Sequence, residues 1–172
     1  MKIDLSDFDS GSRSFDEELL LEPDDLDVPQ VGSELCVHLR GTLTPLAVGF
    51  NLEGDVNCRG KLVCSRCLEL APWSFEEHFE VQLNRAQHAP EGDEVGLDEE
   101  DLGVAFLEEE CLDLSRLAAE QVLLAMPMRV VCQENCAGLC PRCGGNRNVE
   151  DSCSCEAEVD PRWESLKGLS GR

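Results

Sequence analysis

The stretch Cys36-Val37-His38-Leu39-Arg40-Gly41-Thr42-Leu43 decides the fold class. Apolar and polar side chains alternate along it, as they do in a strand with one face on a core and the other on water, and Thr44-Pro45 then supplies a break. Strands of this one-sided kind belong to antiparallel sheets. Further along, Val48 to Leu52 and Asp55 to Val63 read as two more extended segments. Residues 75–83 carry apolar side chains at every second position from Phe79 onward. Four or five strands result, about the usual size of a sheet.

On the N-terminal side, Phe15 to Leu21 fits either a strand or a short helix. Asp24-Asp25-Leu26-Asp27-Val28-Pro29 reads as a loop, because short polar side chains compete for backbone hydrogen bonds and proline disfavours helix. On the C-terminal side, residues 86–103 read as a long solvated connection. The one strong helix spans about 115–125, where Leu114, Leu117, Ala118, Val122 and Ala125 recur at three- and four-residue steps. Asp113 or Ser115 can cap its start and Pro127 stops it. A second short helix is expected from Asp160-Pro161, turning Trp163, Leu166 and Leu169 inward.

A chain of 172 residues, 42% of them hydrophobic, can bury a core of its own. It contains no apolar run long enough to cross a membrane as a helix, and its acidic N-terminus is unlike a signal or transit peptide. The expected location is the cytoplasm. There, eleven cysteines argue for metal rather than disulfides, since cytosolic thiols are kept reduced. The net charge of -22 repels phosphate backbones over a Debye length of roughly 8 Å, which disfavours generic nucleic-acid binding. Acid is unevenly placed: residues 1–35 hold eleven carboxylates against Lys2 and Arg13, and residues 69–111 hold fourteen against Arg85.

Cys64-Ser65-Arg66-Cys67 is a C-x-x-C knuckle directly after a strand. The spacing suits metal or a redox dithiol, but no helix of the thioredoxin kind follows Cys67. The second cluster is more specific: Cys132, Cys136, Cys140 and Cys143, then Cys153 and Cys155, with Gly144-Gly145 beside the central knuckle. Eight clustered thiols match two tetrahedral four-thiolate sites, hence two zinc ions. The preferred pairing sets Cys64 and Cys67 with Cys132 and Cys136, leaving Cys140, Cys143, Cys153 and Cys155 as a local site. An exchange that pairs Cys64 and Cys67 with Cys140 and Cys143 stays open. Closed four-cysteine coordination leaves no position for water or substrate, so no catalytic residue and no small-molecule substrate is expected. Cys36, Cys58 and Cys111 read as free buried thiols, with Cys58 as a substitute ligand at most, and His38, His78 and His88 share no metal or catalytic spacing.

The knuckles lie in the least acidic parts of the chain. Arg59, Lys61 and Arg66 surround the first without any carboxylate, and Arg129, Arg142 and Arg147 accompany the second against Glu134 alone. These cations offset the double negative charge of a zinc tetrathiolate, or form a small patch for RNA phosphate.

Cys64-Ser65-Arg66-Cys67-Leu68, the helix ending in Ala125-Met126-Pro127, and the run from Cys136 to Gly144 with Asn148 form a specific combination. With Cys153-x-Cys155 and Asp160-Pro161-Arg162-Trp163-x-x-Leu166, they resemble the YceD family of large ribosomal RNA subunit accumulation proteins across nearly the whole chain. The resemblance implies a non-enzymatic bacterial or plastid factor needed for accumulation of large-subunit ribosomal RNA. Arg147 departs from the leucine often found there in the family.

The expected protein is therefore α+β: an antiparallel, barrel-like sheet, one main helix and a cysteine-rich, zinc-bound C-terminal segment. Residues 1–131 would carry the sheet, helix and first knuckle, and residues 132–172 the zinc segment and terminal helix, in one compact unit. The expected partner is a basic ribosomal protein or large-subunit assembly factor, with Arg59, Lys61 and Arg66 free to touch ribosomal RNA. Two rivals are a redox-regulated zinc protein using Cys64 and Cys67, and a zinc-ribbon regulator that binds nucleic acid.

Overall fold

The computed structural model describes residues 1–6, 8, 11–86, 96, 103–107, 109–149, 153–155 and 162. Its main body is a five-stranded sheet in the order β2 (Arg13–Leu21), β3 (Leu35–Pro45), β4 (Phe50–Val63), β5 (Leu70–Arg85) and β6 (Val104–Leu107). The sheet curls into a half-barrel. Two three-residue strands, β1 (Lys2–Asp4) and β7 (Cys111–Asp113), pair antiparallel beside it. Among the described residues β2 and β6 remain separate edges, so the sheet stays open where a barrel would close.

Alternation along β3 works as the sequence dictates. Leu35, Val37, Leu39 and Leu43 are buried, while Cys36 and Arg40 face solvent and His38 is half-exposed. Register carries the same division into β4, where Phe50, Leu52, Val56, Cys58 and Leu62 are buried. Each fully buried leucine contributes about 1.5–3 kcal/mol relative to exposure. The core is closed from the concave side by helix α2 (Leu114–Ala125), through Leu114, Leu117, Ala118 and Val122. Asp113 caps α2 by accepting from the backbone N–H of Ser115 at 3.0 Å and Arg116 at 3.4 Å.

Four expectations change. The two expected segments 48–52 and 55–63 merge into one continuous strand that begins only at Phe50, because Gly54 does not interrupt pairing. Phe15, Gly41, Gly54 and Phe79 form one cross-strand row, and the aromatic rings lie over the two glycines. A Cβ on Gly54 would overlap the Arg40 carbonyl oxygen, so glycine is required there by close approach. The sheet is not wholly antiparallel, since β6 pairs parallel to β5. The loop expected at 24–29 begins as one helical turn, α1 (Pro23–Leu26). Asp25 folds back to accept from the Glu22 N–H at 2.8 Å, and proline stands where a helix loses nothing by it. Cys36 is exposed on the outer face and Cys111 is half-buried, so of the three lone cysteines only Cys58 is buried. Phe15 to Leu21 proves to be strand. The helix expected from Asp160, the body of the 86–103 connection and His88 lie outside the described residues.

Candidate metal centres

The turn joining β4 to β5 is the first knuckle. The Leu68 N–H donates to the Cys64 carbonyl at 2.9 Å, and the Cys64 N–H donates to the Glu69 carbonyl at 2.9 Å, above the Val63–Leu70 pair. The same turn recurs downstream. The Gly144 N–H donates to the Cys140 carbonyl at 2.9 Å, and the Cys140 N–H donates to the Gly145 carbonyl at 2.8 Å, above an isolated Leu139–Asn146 bridge. Leu68 and Gly144, each following the second cysteine, take left-handed φ of 63° and 73°. Glycine enters that region without cost, whereas leucine does not. Superposing Cys64-Ser65-Arg66-Cys67-Leu68 on Cys140-Pro141-Arg142-Cys143-Gly144 in the sequence carries this signal, which spacing alone missed.

The chain after α2 folds back onto the first knuckle. The Ser65 N–H and Oγ both donate to the Val130 carbonyl, at 2.9 and 2.7 Å, and the Leu139 N–H donates to the Arg66 carbonyl at 3.0 Å. Cys64, Cys67, Cys132 and Cys136 thereby stand together, their sulfurs all within 4.8 Å of one another. Cys140, Cys143, Cys153 and Cys155 form a second such group. The exchanged pairing of Cys64 and Cys67 with Cys140 and Cys143 is not the arrangement found. Cys58 belongs to neither group and lies in the apolar core.

The spacing fits a tetrahedral ion. Zn–S bonds of about 2.3 Å put sulfurs roughly 3.8 Å apart. Cys67 and Cys132 are separated by 3.6 Å and Cys64 and Cys136 by 3.9 Å, far beyond a disulfide bond of about 2.05 Å. Backbone N–H groups point at the sulfurs: Cys132 at Cys64 (3.4 Å), and Cys155 at Cys153 (3.3 Å). Burial works against ionising Cys64, but the N–H groups of Cys67, Arg66 and Cys132 win and bring its thiol down to about 6. Those of Cys143 and Arg142 do the same for Cys140, also to about 6. Burial and the neighbouring Cys136 thiol push Cys132 up to about 12, and hydrogen bonding to Cys153 and Cys143 pushes Cys155 up to about 12. Each group thus mixes ready thiolates with held protons that a divalent cation would displace on binding.

Asn148 is a partner of sulfur that sequence reasoning did not assign. Its Nδ2 donates to Cys136 Sγ at 3.3 Å, while its Oδ1 accepts from the Ala137 N–H at 2.7 Å. Arg66 is largely structural. Its guanidinium donates to the Cys136 carbonyl at 2.9 Å and the Glu134 carbonyl at 3.4 Å, and among the described residues no carboxylate pairs with it. Arg59 and Lys61 stay exposed on β4 as it approaches the knuckle. His38 and His78 pair with carboxylates on the outer sheet face, His38 with Asp16 at 2.6 Å and His78 with Asp55 at 3.1 Å. Among the described residues no helix is long and apolar enough to cross a membrane.

The family model for the large ribosomal RNA subunit accumulation protein YceD matches residues 52–170, which takes in both cysteine groups and α2. The chain belongs to the YceD family. It is 27% identical to the maize chloroplastic "Large ribosomal RNA subunit accumulation protein YCED homolog 1", over 96% of this chain and 64% of that protein. An uncharacterized protein of Mycobacterium tuberculosis is 32% identical over 83% of this chain and 69% of its own length. One from Bacillus subtilis is 30% identical over 70% and 63%. The chain thus spans about two thirds of the length of these relatives. No solved structure shows significant similarity to it.

Proposed function

We propose that this chain is a non-enzymatic accessory factor in large ribosomal subunit biogenesis, supporting accumulation of large-subunit ribosomal RNA in the cytoplasm, with zinc in both cysteine groups. The observation that carries the ribosomal reading is YceD membership across residues 52–170. Its sequence relative in maize is named for the same role. Cys64, Cys67, Cys132 and Cys136 would hold one ion and Cys140, Cys143, Cys153 and Cys155 the other. Four thiolates close the coordination sphere, so each ion supplies cross-linking rather than a reactive water. The first would tie residues 132–172 to the sheet as one unit.

The acidic surface suits a basic ribosomal protein or assembly factor, whose lysines and arginines it would shield until they dock on RNA. Exposed Arg59 and Lys61 are free to touch RNA beside the knuckle. A redox role for Cys64 and Cys67 draws support from the Cys64 thiol near 6. Burial of both sulfurs, 0% and 3% exposed, weighs against it because an oxidant must reach them.

Depleting the protein in its host tests the ribosomal reading, by quantifying large- against small-subunit ribosomal RNA. A fall in the large-subunit species is expected, and an unchanged ratio refutes it. Elemental analysis tests the metal reading. Two zinc per chain should fall to one in a Cys64→Ser, Cys67→Ser double variant, and zinc-free native protein would return both groups to thiol chemistry.

A further inference from the structure

The edge strand β2 is nine residues long, runs in unbroken register with β3 from Arg13 to Leu21, and contains neither proline nor bulge. Among the described residues nothing pairs with its other side. Edges of that length present an open row of backbone donors and acceptors, and proteins usually blunt them. Among the described residues its safeguard is charge: Asp16, Glu17 and Glu18 stand together at the strand's centre.

That charge selects the occupant. A second copy pairing antiparallel about Glu17 would set Asp16 against Glu18 and Glu17 against itself, and like charges directly opposite destabilise a ladder. A strand with cations on its outer face reverses the sign of the terms at Asp16 and Glu18 and sets no carboxylate against Glu17. The two faces specify more. Ser14, Asp16, Glu18 and Leu20 share the outer face, where Asp16 and Glu18 are exposed and Leu20 is 63% exposed. Phe15, Glu17 and Leu19 share the inner face, half-buried, with both apolar side chains against the core.

We propose that the free edge of β2 receives an extended basic segment of a protein partner as a sixth strand, with Lys or Arg facing outward over Asp16 and Glu18 and aliphatic side chains turned inward beside Phe15 and Leu19. Main-chain hydrogen bonds supply affinity and the alternation supplies specificity, as in other cases of strand addition. The inference rests on the reading of a basic protein partner and gives that partner a place and a conformation.

The test uses the full chain and a nine-residue peptide alternating Lys and Val. A second peptide is identical except for N-methylation at every other amide on each of its two edges in turn, which keeps the charge but prevents a ladder. Binding is followed by fluorescence anisotropy, and amide hydrogen exchange locates the contact. The expected result is protection gained across 13–21 on adding the first peptide, at least tenfold weaker binding after methylation of one edge, and roughly tenfold weakening in an Asp16→Lys, Glu18→Lys variant. The variant's unchanged protection in β3 and β4 would show that it folds. Equal binding of all peptides would mean surface electrostatics only and would overturn the proposal. So would β2 amides already protected on both edges in the free chain. Capture of ribosomal proteins by both wild type and variant would leave the partner reading standing while the edge fails. Loss of capture by both would remove the partner reading itself.

Discussion

Replacing Asn148 with aspartate changes one NH2 group to an oxygen at nearly constant shape, and the structure sets what that should cost. Oδ1 can still accept from the Ala137 N–H at 2.7 Å, although the bond that Nδ2 donates to Asn146 Oδ1 at 2.8 Å is lost along with the one to sulfur. The second oxygen, however, faces Cys136 Sγ at the 3.3 Å now spanned by an N–H···S hydrogen bond. Two full negative charges at that separation repel by about 5 kcal/mol at an effective dielectric of 20, an upper bound because a bound cation withdraws charge from sulfur. Loss of a hydrogen bond to a charged group alone is worth about 1.5 kcal/mol. An intermediate penalty of about 2 kcal/mol corresponds to roughly thirtyfold weaker metal binding, within the ten- to hundredfold range usual for groups that orient ligands. The assay is equilibrium competition of zinc-loaded protein with a chelator, resolved into two sites, with the Cys64→Ser, Cys67→Ser variant identifying the first. The Cys64, Cys67, Cys132, Cys136 group should weaken and the other should not. Unchanged affinity at both, or weakening at the second alone, refutes the role given to Asn148.

Three further outcomes follow from the same geometry. Leu68 holds φ 63° with its side chain 62% exposed, so Leu68→Gly should release about 1–2 kcal/mol of left-handed strain against about 0.5–1 kcal/mol of added chain entropy. Calorimetry should then show a melting temperature a few degrees higher, and a lower one would contradict the strain argument. Asp113→Ala removes the acceptor at the start of α2 and should destabilise by about 1 kcal/mol in urea titrations, with Asp113→Asn recovering most of the loss; equal loss in both variants would point away from capping. Burial, with the Cys36 thiol a smaller cause, pushes Cys58 up to about 11 from an ordinary 9.0. The folded chain then holds that proton more tightly than the unfolded one, so this stabilisation is complete below about pH 9 and is lost as pH rises through about 11. Iodoacetamide at pH 8 should modify exposed Cys36 in native protein long before Cys58, and equal rates would count against a buried thiol.

Much of this was legible because the period-two pattern of β3 and the three- and four-residue steps of α2 report burial directly, and burial is what organises both elements. The Asp113 cap was legible for a similar reason, since it acts over two or three residues. Other features depend on contacts that no local pattern records. Strands of three residues, β1 and β7, exist through pairing across more than a hundred positions. The parallel docking of β6 on β5 follows a connection whose composition gives no hint of direction. Gly54 separated two expected segments, because its reason for being glycine lies in the Arg40 carbonyl on one neighbouring strand and the Phe79 ring directly opposite on the other. Among the functional residues, cysteine type and spacing announced the two groups. Asn148 could not be placed, because an asparagine twelve positions from the sulfur it serves has no distinctive spacing.

The two cysteine groups differ in the length of chain they close. Cys67 and Cys132 lie 65 positions apart, whereas Cys143 and Cys153 are separated by ten. Closing the longer loop in a flexible chain costs about 1.7 kcal/mol more. The short loop can therefore gather a metal ion before the sheet exists, and an ion held equally by folded and unfolded chains adds nothing to the difference between them. The long loop encloses β5, α2 and everything between, so its four sulfurs meet only once those elements have assembled. With zinc in both groups, free zinc concentration would then act on the folding equilibrium through Cys64, Cys67, Cys132 and Cys136, while the second group would stay loaded through cycles of unfolding.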